Sequence, residues 1–270
     1  MSTKGASAVQ RVDWSTVNLL RPFFDKGPDP VGPRLLDFPM LRGAWVASVD
    51  SAGAWYDVSG HGHTLTYNGN PTFNYDGLVP YWDLDGTGDY FQRADEADLD
   101  ITGTETYVAA AAQGLTLGGW FRQDALALEI AMAKWAFTAP LANQLSYRLS
   151  VSGTGTVQFY VSMNGVAWTV VTSTNTYAAA TWSHWVGRFD PGAELAVFVD
   201  GTKTTNVVGI PASIFNSTAP FEVGCYDNGD AGGTVGFFNG DVSCCFLCAA
   251  ALSDTQINVF YQMTKRYFGH

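Results

Sequence analysis

From Gly43 to about residue 250, strand and turn signals alternate along the chain in short runs. The clearest run is Thr156 to Met163: Val157, Phe159, Val161 and Met163 share one face, and Gln158, Tyr160 and Ser162 the other. A period of two is the pattern of a half-buried strand. Asn164-Gly165 then supplies a tight hairpin turn into a second strand over Val166–Thr172. Asp200-Gly201 does the same after Leu195–Val199, and further strands are predicted at Leu115–Phe121, Leu145–Val151, Trp182–Phe189 and Phe221–Cys225. Many short strands without interleaved helices predict an all-β, two-sheet antiparallel jelly-roll sandwich. One short C-terminal helix is predicted: Ser253 caps it, Gln256 completes a capping box, and Ile257, Phe260, Tyr261 and Phe268 form its apolar stripe, ending near Gly269.

The pattern divides the chain into an extended, proline-rich arm over residues 1–42 and a sandwich over residues 43–270. The arm carries Pro22, Pro28, Pro30, Pro33 and Pro39 and shows little alternation. Proline at that density removes ladder donors and favours extended chain. Val12, Trp14, Val17, Leu19, Leu20, Phe23 and Phe24 make the arm apolar enough to lie on its own domain, on a neighbouring subunit or on a larger assembly.

Composition narrows the function classes. Apolar residues are 47% of the 270, charged residues only 14%, and glycine is abundant at 29, which suits strands joined by tight turns. The net charge of −11, with no basic cluster, argues against nucleic acid or an anionic membrane as partner. No apolar stretch of signal-peptide or membrane-spanning length is found. Three of the four cysteines, Cys244, Cys245 and Cys248, fall on one predicted strand, with Cys225 apart. They read as buried, reduced thiols, since neighbours on a strand point to opposite faces; a bridge from Cys225 to the cluster is the alternative.

Several blocks resemble, in order, the laminin-G-like domains of the concanavalin A-like lectin/glucanase superfamily. Asp57-Val-Ser59-Gly60-His61-Gly62 resembles the family's opening turn, and Leu84-Asp85-Gly86-Thr-Gly88-Asp89-Tyr90-Phe91 its Asp-Gly hairpin. Leu115 to Phe121, Trp182-Ser-His184-Trp185-Val186, and Val197-Phe198-Val199-Asp200-Gly201 resemble its central strands. Phe238-Asn-Gly240 and Ala251 to Tyr261 resemble its closing strand and helix. The resemblance covers residues 43–268 and implies a jelly roll with Trp120, Trp182 and Trp185 filling the space between the sheets.

The resemblance also implies a structural calcium ion. The family's carboxylate three residues after the closing-strand glycine is Ser243 here, with Asp241 expected on the opposite strand face. Asp57, Asp85, Asp89 and Asp227 remain candidate calcium ligands, each equally readable as a turn cap. No other cofactor is expected. The laminarinase signature Glu-x-Asp-x-x-Glu has its nearest string at Glu96-Ala-Asp98-Leu-Asp-Ile101, where Ile101 takes the acid's place, so an enzyme is not expected. His61 and His63 could share a metal, but no Cys or carboxylate completes a set locally, and they read as a solvated turn.

Sugar recognition combines an aromatic face with Asn and Asp groups that bond hydroxyls. The candidates for that role are Tyr226, Asp227, Asn228 and Asp230 in one loop, with Trp168, Tyr67 and Asn68. The sequence thus leads to the expectation of a non-enzymatic structural or adhesive protein on a virion surface, such as a bacteriophage capsid decoration or fibre-type protein. In that expectation residues 1–42 join other subunits of a homo-oligomer or large complex, and the sandwich contacts surface glycans. A free carbohydrate-binding lectin, extracellular by a non-standard route, is the alternative.

Overall fold

A computed structural model describes residues 40–47, 53–77, 79–137, 141–226 and 236–270. In chain order the strands are β1 (Leu41–Trp45), β2 (Ala54–Trp55), β3 (Leu65–Asn68), β4 (Thr72–Asp76), β5 (Val79–Asp85), β6 (Tyr90–Arg93), β7 (Leu115–Gln123) and β8 (Glu129–Ala136). Then come β9 (Gln144–Val151), β10 (Val157–Gly165), β11 (Trp168–Thr172), β12 (Ser183–Asp190), β13 (Glu194–Val199), β14 (Thr202–Asn206), β15 (Phe221–Val223) and β16 (Asn239–Cys248). Helix α1 (Asp254–Thr264) follows.

The strands form two antiparallel sheets. The first has the order β14-β13-β12-β7-β16-β5-β4, with β1 also on β16; the second has the order β11-β10-β9-β8-β15-β6-β3-β2. Between them lies the main core, which includes Trp45, Trp55, Trp82, Phe91, Phe121, Tyr147, Phe159, Trp185 and Phe221. Period-two strands account for this: Val157, Phe159 and Val161 of β10 all point into it. Residues 1–39 of the predicted arm lie outside the described residues, and Leu41 and Arg42, assigned to the arm, belong to β1.

Four expectations need correction. Met163 leaves the buried face and is 63% exposed, at the point where the β9–β10 ladder shifts register between Val161 and Gly165. Asp85 to Tyr90 is no hairpin: β5 and β6 sit in different sheets, so this turn is a corner of the sandwich. Trp120 and Trp182 are buried on the far side of the first sheet, beneath Tyr261 and Phe268, while Trp185 alone of the three faces the other sheet. Finally, Asp241 and Ser243 share a strand face, as residues two apart must; Asp241 opposes Arg122 and Ser243 opposes Trp120.

The capping box forms as predicted: the Ser253 hydroxyl accepts from the Gln256 N–H, and Gln256 accepts from the Ser253 N–H. Helix α1 lays Ile257 and Phe260 on Ala44, Val186, Ala196, Phe198 and Phe246, covering the outer face of the first sheet. Asp200-Gly201 forms the predicted tight turn, both residues at positive φ (50° and 79°). All four cysteines are buried and none is in a disulfide. A bulge at Cys244 (φ 51°) sends its side chain outward under the C-terminal tail and Cys245 inward, and burial pushes the Cys244 thiol up to about 12. Among the described residues no helix is long and apolar enough to cross a membrane.

Candidate functional site

With α1 covering one outer face, the outer face of the second sheet carries no α-helix among the described residues. Its side chains are set by strand alternation and register. Arg148 of β9 stands opposite Tyr160 of β10 and Ala133 of β8, and Ser162 stands opposite Trp168 of β11. These positions point away from the core because Tyr147, Leu149 and Phe159, their chain neighbours, point into it. A register shift between Lys134 and Trp135 places Leu145 beside Trp135 on this outer face, where they form a small second core with Ile130 and Ala133.

Over that base lies an aromatic cluster. Trp135 is fully buried and meets Phe137, Tyr160 and Trp168 edge-on, at centroid distances of 6.1, 6.2 and 6.2 Å. Phe137 in turn meets Trp168 at 5.8 Å and Tyr226 at 6.3 Å. The Arg148 guanidinium sits at the centre, 4.0 Å from the Tyr160 ring, 5.0 Å from Trp135 and 5.8 Å from Tyr226. Burial pushes Arg148 below its usual value, against the pull of Tyr160 and Tyr226, but a guanidinium stays charged. Its Nε has no hydrogen-bond partner among the described residues.

The cluster is buried at its base and open at its rim. Trp168 is 48% exposed and Phe137 38%, and the adjoining β10–β11 turn exposes Met163 and Val166. A large aromatic side chain left half in water, on a buried aromatic support that fixes its rotamer, is a preformed platform for an apolar ring face. Arg148 and the Tyr160 and Tyr226 hydroxyls supply polar groups beside it.

The structure thus brings together two of the predicted ligand residues, Trp168 and Tyr226, through Phe137. Asp227, Asn228 and Asp230 lie outside the described residues. Tyr67 and Asn68 are not loop residues: they end β3, where Tyr67 packs on Trp82 and Phe91 against the main core. Sequence reasoning missed Trp135, Phe137 and Arg148. Alternation along β9 carried the signal for Arg148, a charge between Ser146 and Ser150 on the face opposite Tyr147 and Leu149.

The candidate calcium ligands occupy turns. Asp57 accepts the N–H groups of Ala44, Ser59 and His63 and the Ser59 hydroxyl. Asp85 accepts the Thr87 hydroxyl and the N–H groups of Thr87, Gly88 and Asp89, which lowers it to about 2. Asp89 accepts from the Asn70 and Asp85 N–H groups, and Asp227 lies outside the described residues. Ser243 donates to the Pro80 carbonyl. Glu96 and Asp98, the nearest string to the laminarinase signature, are not on a strand: Glu96 precedes a 3-10 turn (Ala97–Leu99) and binds Arg93 and His63.

Comparison with known proteins agrees with this architecture. The family model described as the concanavalin A-like lectin/glucanases superfamily matches residues 85–258. No curated protein matches the chain in sequence. Among solved structures, the binding domain of Paraclostridial mosquitocidal protein 1 is similar with a TM-score of 0.63 and 11% identity, over 86% of this chain and 55% of that one. A structure of botulinum neurotoxin type C, whose cell entry depends on interaction with two ganglioside molecules, has a TM-score of 0.60 and 10% identity over 83% and 51%. The binding domain of botulinum neurotoxin DC, in complex with rat synaptotagmin II, has a TM-score of 0.59 and 12% identity over 83% and 51%. The chain therefore spans about half the length of these neighbours, and at such identity the likeness is one of fold.

Proposed function

We propose that this chain, which belongs to the concanavalin A-like lectin/glucanases superfamily, is a non-catalytic adhesion module that binds carbohydrate on the outer face of β8 to β11. The observation that carries the reading is the Trp168 platform, half exposed and braced by Trp135 and Phe137 around Arg148. A pyranose ring stacks its C–H face on such an indole while tyrosine hydroxyls and a guanidinium take its hydroxyl groups. The named patch residues offer no carboxylate pair for glycosidic-bond chemistry. The net charge of −11 favours a neutral saccharide over an acidic one. Neighbours of the same fold that bind a ganglioside or a protein receptor support recognition as the task of this scaffold.

The place of work we propose is the surface of a bacteriophage particle, as a capsid decoration or fibre-type protein. The proline-rich, apolar sequence of residues 1–42 supports a docking segment that joins it to other subunits.

A glycan array probed with the full chain tests the binding proposal. The expected result is selective retention of a neutral glycan, with Trp168→Ala weakening it by about 30-fold, as for an aromatic hot spot. Trp168 is exposed enough for that variant to fold. Silence across the array, or equal binding by Trp168→Ala, refutes the reading.

A further inference from the structure

We propose that His61, His63 and Asp98 form a binding site for a divalent transition-metal ion of the zinc class, with Glu96 orienting His63 from behind. Sequence spacing gave only the two histidines. The fold adds Asp98 from the 3-10 turn after β6, and the three ligand atoms lie within 4.8 Å of one another. Gly60 and Gly62, at φ of 92° and 85°, make the turn that folds His61 back over His63. The two imidazoles stack with centroids 6.1 Å apart and planes within 3°.

His63 is fixed before any ion arrives. Its N–H donates to Asp57, its carbonyl accepts from the Trp45 indole, and the residue is 3% exposed. Its Nδ1 lies 2.6 Å from Glu96 Oε1, and Arg93 holds both Glu96 oxygens, at 2.7 and 3.0 Å. A carboxylate only accepts, so the Nδ1 hydrogen faces Glu96 and the Nε2 lone pair faces the other way. That Nε2 is buried without a hydrogen-bond partner among the described residues, 3.8 Å from Asp98 Oδ2. The buried Nε2 lone pair and the exposed Asp98 carboxylate oxygen face each other across a gap that a bridging cation would fill. A carboxylate behind a metal-binding histidine is the usual way its tautomer is set.

The donor set selects the ion. Two imidazoles and one carboxylate suit zinc and its neighbours, whereas calcium takes oxygen ligands. Tetrahedral bonds of about 2.0–2.1 Å put ligand atoms about 3.3 Å apart. The exposed side chains of His61 and Asp98 reach that spacing by rotation while His63 stays in place. Three protein ligands leave a fourth position for water, and the ion clasps the opening turn to the segment after β6. The site uses none of the aromatic-patch residues, so its fate is independent of the carbohydrate proposal.

Calorimetric titration of the tag-free, chelator-treated full chain with Zn2+, and of the same protein with Co2+ by visible absorption, tests the site. The expected result is one Zn2+ per chain, raised thermal stability on binding, and intense Co2+ bands of a four- or five-coordinate ion. His61→Ala and Asp98→Asn, both at exposed side chains, are expected to weaken Zn2+ by more than about tenfold, and Glu96→Gln by about 10–100-fold. His270→Ala is expected to leave binding unchanged. Absence of saturable binding, with a proton on Nε2 filling the gap, overturns the proposal. Binding that survives in the His61→Ala/Asp98→Asn double variant, and so belongs elsewhere, overturns it equally.

Discussion

Replacing Lys134 with alanine is expected to destabilise the protein by about 3–5 kcal/mol, the cost of leaving buried charges without their partner. Lys134 of β8 sits in the row between Phe221 and Tyr147, so its side chain enters the core face of the second sheet, where it is 0% exposed. An ammonium there needs all three of its hydrogens placed. It lies 2.5 Å from Asp95 Oδ1, 3.1 Å from Asp100 Oδ1 and 2.6 Å from the Ala219 carbonyl. Asp100 pays for part of this arrangement: burial raises its carboxyl, and Lys134 opposes that rise. Lys134→Met is expected to cost nearly as much as alanine, since the two carboxylates remain. The triple variant Lys134→Met/Asp95→Asn/Asp100→Asn is expected to recover most of the loss, because a complete buried ion cluster is worth little net against apolar packing. Urea unfolding followed by tryptophan fluorescence reads these differences. A loss below about 1 kcal/mol for Lys134→Ala contradicts the assignment.

Acid is expected to weaken the fold through His184. This residue of β12 lies opposite Trp120 on the outer face of the first sheet, roofed by Phe260 and Tyr261 of α1. It is fully buried, and neither ring nitrogen has a hydrogen-bond partner among the described residues. Burial, aided by His270, pushes it down to about 3. The folded state then binds fewer protons than the unfolded state, whose histidine titrates near 6.5. The stabilising contribution is therefore complete above about pH 6.5 and is lost as pH falls towards about 3, at up to about 1.4 kcal/mol per pH unit. Asp241, raised to about 6 chiefly by burial, works in the opposite direction between about pH 6 and its unfolded value near 4. The difference between wild type and His184→Phe isolates the histidine. Its expected signature is a shallower loss of stability for the variant between about pH 6.5 and 3.5. Parallel pH profiles for the two proteins contradict it.

These two residues mark where sequence reading stopped. Alternation and Asp-Gly turns made the sandwich legible, and the Ser253–Gln256 box made the helix legible, because each rests on contacts close along the chain. The sequence carried no sign that Lys134 is buried, because its partners, Asp95 and Asp100, come from a loop that only tertiary folding brings to β8. The same limit hid Asp98 from His61 and His63, and sent Trp120 to the wrong side of its sheet: strand alternation gives opposite faces without saying which face meets the other sheet. At the proposed ligand surface, Trp168 and Tyr226 were legible as aromatics near turns. Trp135 was not, because the bulges in the β8–β9 and β9–β10 ladders that shape this face leave no mark in the hydrophobic pattern.

The central claim is that recognition takes place at Trp168, on the face of the second sheet that α1 does not reach. Nuclear magnetic resonance of the isotopically labelled chain resolves the indole N–H signals of its nine tryptophans, and a titration with the array-selected glycan reads them directly. The account predicts a saturable shift of the Trp168 signal, identified by its loss in Trp168→Phe, while Trp45, Trp55 and Trp185 between the sheets hold still. Movement of the Trp120 and Trp182 signals beneath the C-terminal tail, with Trp168 unmoved, would contradict it.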